Sequence, residues 1–279
     1  MQQYSTMDVL SRPVLKADQR IKYGAGPCQF GDLWLPKART QPTVPVVVFF
    51  HGGWWKSDYD LGYGGHVCCD LAREGIACWS VEYRRVGASG GGWPVTFQDA
   101  AAGFDFVEDL AVEHDFDLSR VLVMGHSAGA HLAFWIAGRP HIGRKSEVFS
   151  VQKVSPKAAI ALAGAVDLRL TIELAGTKFA HNKDEVYRLM GGDPSHWPDR
   201  YRAGNPGDLL PFTARQILIQ GTADDQIPPE LPSRWAKMSC QLGSTASVTM
   251  ISGADHFDVV DPDSGGWATV IHEVRGSLL

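Results

Sequence analysis

The chain has 279 residues, 44% hydrophobic and 20% charged, with 26 Lys+Arg against 31 Asp+Glu for a formal net charge of −5. These are values of a globular protein able to bury a substantial core, and an acidic balance without a Lys/Arg run offers nothing to nucleic acid. No apolar run of about 18 residues is present to span a membrane, no apolar leader core opens the chain, and the five cysteines (Cys28, Cys68, Cys69, Cys78, Cys240) are an odd number without zinc-like spacing, so they read as reduced thiols of a cytoplasmic protein.

In chain order, residues 21–23 and 30–35 read as an antiparallel edge hairpin. Short continuous apolar runs follow at 44–50, 76–83, 120–124, 158–163, 216–220 and 247–251, the pattern of strands covered on both faces. They alternate with helix-compatible stretches at 63–74, 96–113, 128–137, 184–190, 229–242 and 268–279. The alternation predicts an α/β fold, a mostly parallel eight-stranded sheet flanked by helices, in one domain over 1–279. Between about 164 and 212 the alternation stops, with many Gly and Pro and no clear strand. So long an interval is usually functional and reads as a small lid insertion over the strand ends, the alternative being an irregular surface excursion.

The fifth run ends in Gly125-His126-Ser127-Ala128-Gly129 and passes at once into the third helix. A strand, a sharp turn with a serine at its apex and small flanking residues, then a helix, is the pattern of a nucleophile elbow. The bare G-x-S-x-G arises by chance roughly once in ten chains of this length. Indeed Gly87-Ala88-Ser89-Gly90-Gly91 also fits it, but has no helix directly behind and reads as a flexible loop.

A serine hydroxyl needs a base within hydrogen-bond reach, and the base needs a partner to fix its tautomer. Asp224 follows the run 216–220 and so falls on the rim that carries Ser127, with Asp225 as competitor; the bland alternative is a helix cap for either. His256 follows the last run by a short loop containing Gly253 and Ala254. It is the one histidine of ten placed after both serine and acid on a strand-end loop, and His272 falls inside the terminal helix. After the run 44–50 come His51-Gly52-Gly53-Trp54-Trp55, a turn whose glycines let backbone N–H groups face inward. The N–H groups of Gly53, Trp54 and Ala128 then form an oxyanion hole, with Gly52 shaping the turn and His51 anchoring it.

With these residues assembled, the chain resembles the α/β-hydrolase superfamily from about residue 21 to its end. His51-Gly52-Gly53-Trp54-Trp55 together with Gly125 through Leu132 is similar to the branch of kynurenine formamidases (arylformamidases) and related small carboxylesterases, and Tyr23-Gly24 through Asp32-Leu33-Trp34-Leu35-Pro36 to their opening hairpin. The resemblance implies an eight-stranded sheet, no cofactor and no metal, acyl-enzyme chemistry on a small-molecule ester or activated amide, and Ser127, Asp224 and His256 as triad. Trp54 stands where hormone-sensitive-lipase relatives carry a third glycine, which argues against bulky tertiary-alcohol esters.

Trp55, Tyr59, Trp93 and Phe257, with Trp54 and Trp197, fall in loops and either line an apolar substrate pocket or pack the lid and rim. Hydrolysis of short-acyl or aryl esters is the leading expectation. An arylformamidase acting on an N-formyl aromatic amine is the second, and a peptidase or non-catalytic binding member the third. The oligomeric state is left open, a homodimer included.

Overall fold

The computed structural model describes residues 6–38, 41–87 and 90–278, so Ser89 of the second glycine motif lies outside the described residues. Helix α1 (Thr6–Ser11) precedes β1 (Gln19–Lys22), β2 (Phe30–Trp34) and β3 (Val44–Phe50). Then α2 (Gly65–Arg73), β4 (Ala77–Val81), α3 (Val95–Asp105), α4 (Val107–His114), β5 (Phe116–His126), α5 (Ala128–Gly138) and β6 (Ala158–Leu162) alternate along the chain. Helices α6 (Leu168–Glu173), α7 (His181–Met190) and α8 (Pro198–Gly204) fill the interval before β7 (Arg215–Gly221), α9 (Leu231–Gln241), β8 (Ala246–Ile251) and α10 (Trp267–Leu278).

The eight strands form one sheet in the order β1-β2-β4-β3-β5-β6-β7-β8, antiparallel from β1 through β4 and parallel from there on. The period of two explains why the runs looked continuously apolar. Val46, Val48 and Phe50 face the layer with Phe97, Leu132 and Trp135, whereas Val47 and Phe49 face the layer with Val67, Leu71 and Val270. Both faces of β3 are dry, so each of its positions is apolar. Among the described residues no helix is long and apolar enough to cross a membrane, and the five cysteines are free thiols.

Two boundaries differ from expectation. Strand β5 begins at Phe116, not near 120: Phe116 pairs with Val44, and the partly exposed Asp117, Leu118, Ser119 and Arg120 that follow interrupt the apolar run. The stretch 96–113 is two helices broken at Phe106, where Asp105 is drawn into bidentate hydrogen bonds from Arg139 at 3.0 and 2.8 Å. The interval 164–212 holds three short helices and no strand among its residues.

The order in which strands are added reverses at β3, with β4 on one side and β5 on the other, both parallel to it. The crevice beyond the carboxyl ends of such a switch point is where α/β sheets bind ligands. Phe50 pairs with Gly125 in register, so the loops that follow β3 and β5 emerge side by side there. Gly221 pairs with Ile251, and the loops after β7 and β8 are likewise neighbours. Helix α7 reaches this rim: the Lys56 ammonium sits 3.1 Å from Glu185, the Trp54 ring meets His181 edge-on at 5.7 Å, and Asn182 Nδ2 donates to the Gln226 carbonyl at 3.0 Å.

Asp167, at the start of α6, is fully buried, and burial raises its pKa from 3.8 to about 6 although it accepts the Leu170 N–H at 2.8 Å, a bond that favours the charged form. The folded chain thus keeps a proton that the unfolded chain releases earlier. That contribution to stability is complete below about pH 4 and is lost as pH rises through about 6. Replacing Asp167 with asparagine, which stays neutral, is expected to remove this falling slope. In urea titrations the difference between variant and parent should change by about 2 kcal/mol between pH 4 and 7, and a difference independent of pH would refute the assignment.

Candidate active site

Ser127 stands between β5 and α5 at φ 54° and ψ −119°, a conformation an L-residue adopts only when its surroundings impose it. Those surroundings are tight. A Cβ on Gly125 would lie 2.1 Å from the Gly129 carbonyl oxygen, and one on Gly129 would lie 2.1 Å from that of Phe50. The two motif glycines are therefore required by close approach of backbone to backbone. The turn is pinned by Ser127 N–H donating to Leu162 at 2.9 Å and by the Ser127 carbonyl accepting from Ala130 and Ala165. The serine hydroxyl has no hydrogen-bond partner among the described residues, a resting arrangement common where such contacts tighten only around substrate.

Asp224 and His256 meet from adjacent strand ends. His256 Nδ1 lies 2.8 Å from Asp224 Oδ2. A carboxylate only accepts, so Nδ1 carries the proton and Nε2 is left as the acceptor. Asp224 Oδ1 takes the Gln226 and Ile227 N–H groups at 2.8 and 2.9 Å, and Oδ2 also takes the Gln220 amide at 2.7 Å. Asp225, the competitor, bonds the Gln226 side chain at an exposed position instead.

Strands β5 and β8 are three places apart, roughly 14 Å, yet the His256 loop crosses back over β7 and β6. The His256 carbonyl lies 3.0 Å from His126 Nε2, and the two imidazole rings are 4.7 Å apart. His256 is thereby delivered beside the residue that precedes Ser127.

The loop after β3 runs through three consecutive residues of positive φ: Gly53 at 109°, Trp54 at 52° and Trp55 at 56°. This turns the N–H groups of Gly53 and Trp54 away from any acceptor among the described residues, as is that of Ala128 at the head of α5. Gly52 differs, since its N–H donates to the Tyr63 hydroxyl at 2.6 Å, and a Cβ there would lie 2.9 Å from that of Ser127. His51 is fully enclosed, stacked on Tyr83 at 4.5 Å, with Nε2 3.2 Å from Glu82 and Nδ1 2.8 Å from the Gly52 carbonyl. Burial pushes the Glu82 carboxyl up, but His51, Arg85 and the Tyr83 N–H outweigh it and hold its pKa below the ordinary value.

The aromatic residues expected to share a pocket are separated. Tyr59, 37% exposed, lies directly on Gly53 at the mouth of the loop. Trp55 is wholly enclosed, edge-on to His131 at 5.2 Å. Trp93 packs on Phe97 in the helical layer and donates to Glu147 at 2.9 Å. Phe257 stands behind the base against His126 at 5.2 Å, and Trp197 lies exposed beneath Arg200. Tyr63, His126, Glu82 and Gln220, the residues that tie these loops together, were not anticipated. Only His126, inside the serine motif, carried a sequence signal.

A family model described as BD-FAE matches residues 31–237. The chain belongs to the BD-FAE family. The BD-FAE match runs from β2 into α9 and takes in the β3 loop, Ser127 and Asp224. This BD-FAE chain is 30% identical over 255 residues to a probable isoprenylcysteine alpha-carbonyl methylesterase of Arabidopsis thaliana, covering 88% of the chain and 52% of that relative. It is 25% identical over 248 residues to the kynurenine formamidase of Drosophila melanogaster, covering 86% and 75%. It thus spans about half the length of the first of these. Among solved structures an inhibited esterase B from Lactobacillus rhamnosis superposes with a TM-score of 0.80 at 21% identity, covering 96% of this chain and 89% of the other. The fold is that of the α/β-hydrolases.

Proposed function

We propose that this chain is a serine-dependent hydrolase that cleaves short-acyl or aryl carboxylic esters through an acyl-enzyme. The observation that carries the reading is the His256–Asp224 pair, bonded at 2.8 Å on loops after β8 and β7, with the His256 carbonyl 3.0 Å from the His126 ring that precedes the strained Ser127 turn. His256 Nε2 takes the Ser127 proton as the oxygen attacks the ester carbonyl, and the N–H groups of Gly53, Trp54 and Ala128 receive the oxyanion. Collapse expels the alcohol, which leaves with the proton from His256. Water then attacks the acyl carbon by the same route and restores the serine. Asp224 holds the imidazole tautomer throughout.

A second reading, hydrolysis of an N-formyl aromatic amine, draws support from the kynurenine formamidases of Drosophila melanogaster and Danio rerio among the relatives. Both readings use the same three side chains and differ in acyl and leaving group. Assaying p-nitrophenyl acetate beside N-formylkynurenine separates them. The ester reading expects the higher kcat/KM on the acetate; preference for the formamide would replace it with the second, and turnover of neither would reject both.

A further inference from the structure

Resting on that reading of the site, we propose that Tyr63 and His126 are positioning residues: a neutral hydrogen-bonded relay that fixes the oxyanion loop and the base loop to the serine turn as one unit. The relay joins segments remote in the chain. The Gly52 N–H donates to Tyr63 Oη at 2.6 Å, Tyr63 Oη stands 2.8 Å from His126 Nδ1, and His126 Nε2 stands 3.0 Å from the His256 carbonyl oxygen.

Proton directions follow from the chemistry of the end groups. A carbonyl oxygen only accepts, so His126 Nε2 carries a hydrogen. The Tyr63 oxygen already accepts from Gly52, so its own hydrogen goes to His126 Nδ1, which must be bare. Each donor then has one acceptor, and the ring is neutral. The alternative, a doubly protonated imidazole, would leave the Tyr63 hydrogen without an acceptor among these groups and bury a cation. Burial, and next the charge His256 carries when protonated, hold the His126 pKa well below its ordinary value. The titratable groups that face it are Tyr63, His256 and His51, and Phe257 closes the remaining side with its ring.

Two consequences bear on the chemistry. Tyr63 engages the Gly52 N–H, so this peptide is locked and the following N–H groups, of Gly53 and Trp54, are the ones held unpaired. His126 holds the backbone of the base, not its side chain. The His256 ring is thus free to gain and lose a proton while its position stays fixed, and a neutral neighbour adds no repulsion when it becomes charged.

The test has two arms. In histidine-labelled protein carrying Ser127→Ala, nitrogen NMR should find His126, assigned by its loss in His126→Gln, as the Nε2-protonated neutral tautomer from pH 5 to 9. Its Nδ1 signal should move toward that of an unbonded lone pair when Tyr63→Phe is added. This arm needs no catalysis, so it stands even if Ser127 proves not to be the nucleophile. In the active protein, Tyr63→Phe is expected to lower kcat on p-nitrophenyl acetate about 10- to 100-fold, the scale of a misplacement near 1 Å, with KM changed less than threefold. His126→Gln, which keeps an N–H for the His256 carbonyl, should retain more activity than His126→Leu. A His126 ring that titrates between pH 5 and 9 overturns the relay, as does a Tyr63→Phe enzyme with parental kcat or with its loss confined to KM. Should Tyr63→Phe fail to fold, the tautomer measured in the Tyr63-containing protein decides.

Discussion

Ser127→Ala is expected to lower ester turnover by on the order of 10⁵–10⁶-fold, the scale seen when the nucleophile of a serine hydrolase is removed, while leaving the fold intact. Both halves follow from the geometry. The hydroxyl has no hydrogen-bond partner among the described residues, so its loss orphans no buried group. The positive φ is imposed by the Leu162, Ala130 and Ala165 backbone bonds and by packing of Gly125 against Gly129, none of which involves the serine oxygen. Alanine keeps the same Cβ and meets the same strain, so the melting temperature should move by no more than a few degrees. The residual rate should remain above that in water, because the unpaired N–H groups of the oxyanion loop still act on bound ester. A fluorophosphonate probe should label the parent and not the variant. Parental turnover in the variant would refute Ser127 as nucleophile.

The parts of this site legible in the sequence are those that backbone geometry forces into local patterns. Gly125 and Gly129 are written as glycine because carbonyl oxygens would stand 2.1 Å from any Cβ. Asp224 and His256 could be placed because adjacent parallel strands deliver their following loops to one rim. The sheet was legible for a similar reason, as dry faces on both sides make a central strand such as β3 continuously apolar. Contacts across sequence left no such trace. Tyr63 and His126 are 63 positions apart, and His126 and the His256 carbonyl are 130 apart. Nothing local to Tyr63 distinguishes it from a tyrosine at the start of an ordinary helix. The aromatic side chains mislead for another reason: which layer a loop residue enters depends on strand order, so Trp93 and Phe257 end on opposite sides of the sheet although both follow strand ends. Asp105 likewise bonds Arg139, a partner 34 residues away, where the single expected helix divides in two.

Asp224→Asn provides the sharper test of the acid, because the structure dictates how the amide must sit. Oδ1 receives the Gln226 and Ile227 N–H groups at 2.8 and 2.9 Å, so the asparagine carbonyl has to occupy that position. Its NH₂ then takes the place of Oδ2 and faces His256 Nδ1. Two donors cannot face each other, so the imidazole proton shifts to Nε2, the nitrogen needed as acceptor for the Ser127 hydrogen. The base is thus disabled without being moved, and kcat is expected to fall about 10⁴-fold, the cost of the wrong tautomer in a serine-histidine-aspartate site. The fold should tolerate the change. Gln220 now gives its amide to Oδ2 at 2.7 Å, while its own Oε1 is buried without a partner. Turning that side-chain amide over presents Oε1 to the new NH₂ and leaves one donor to satisfy where one acceptor was idle before. Asp224→Ala has no such repair: it strands two backbone N–H groups, the Gln220 amide and the His256 imidazole, and should lower stability by several kcal/mol. Asp225→Asn, at an exposed position, should leave kcat within about twofold of the parent if Asp224 alone orients His256. Steady-state kinetics and thermal unfolding on the three variants separate these effects, and an Asp224→Asn enzyme within tenfold of the parent would remove Asp224 from the mechanism.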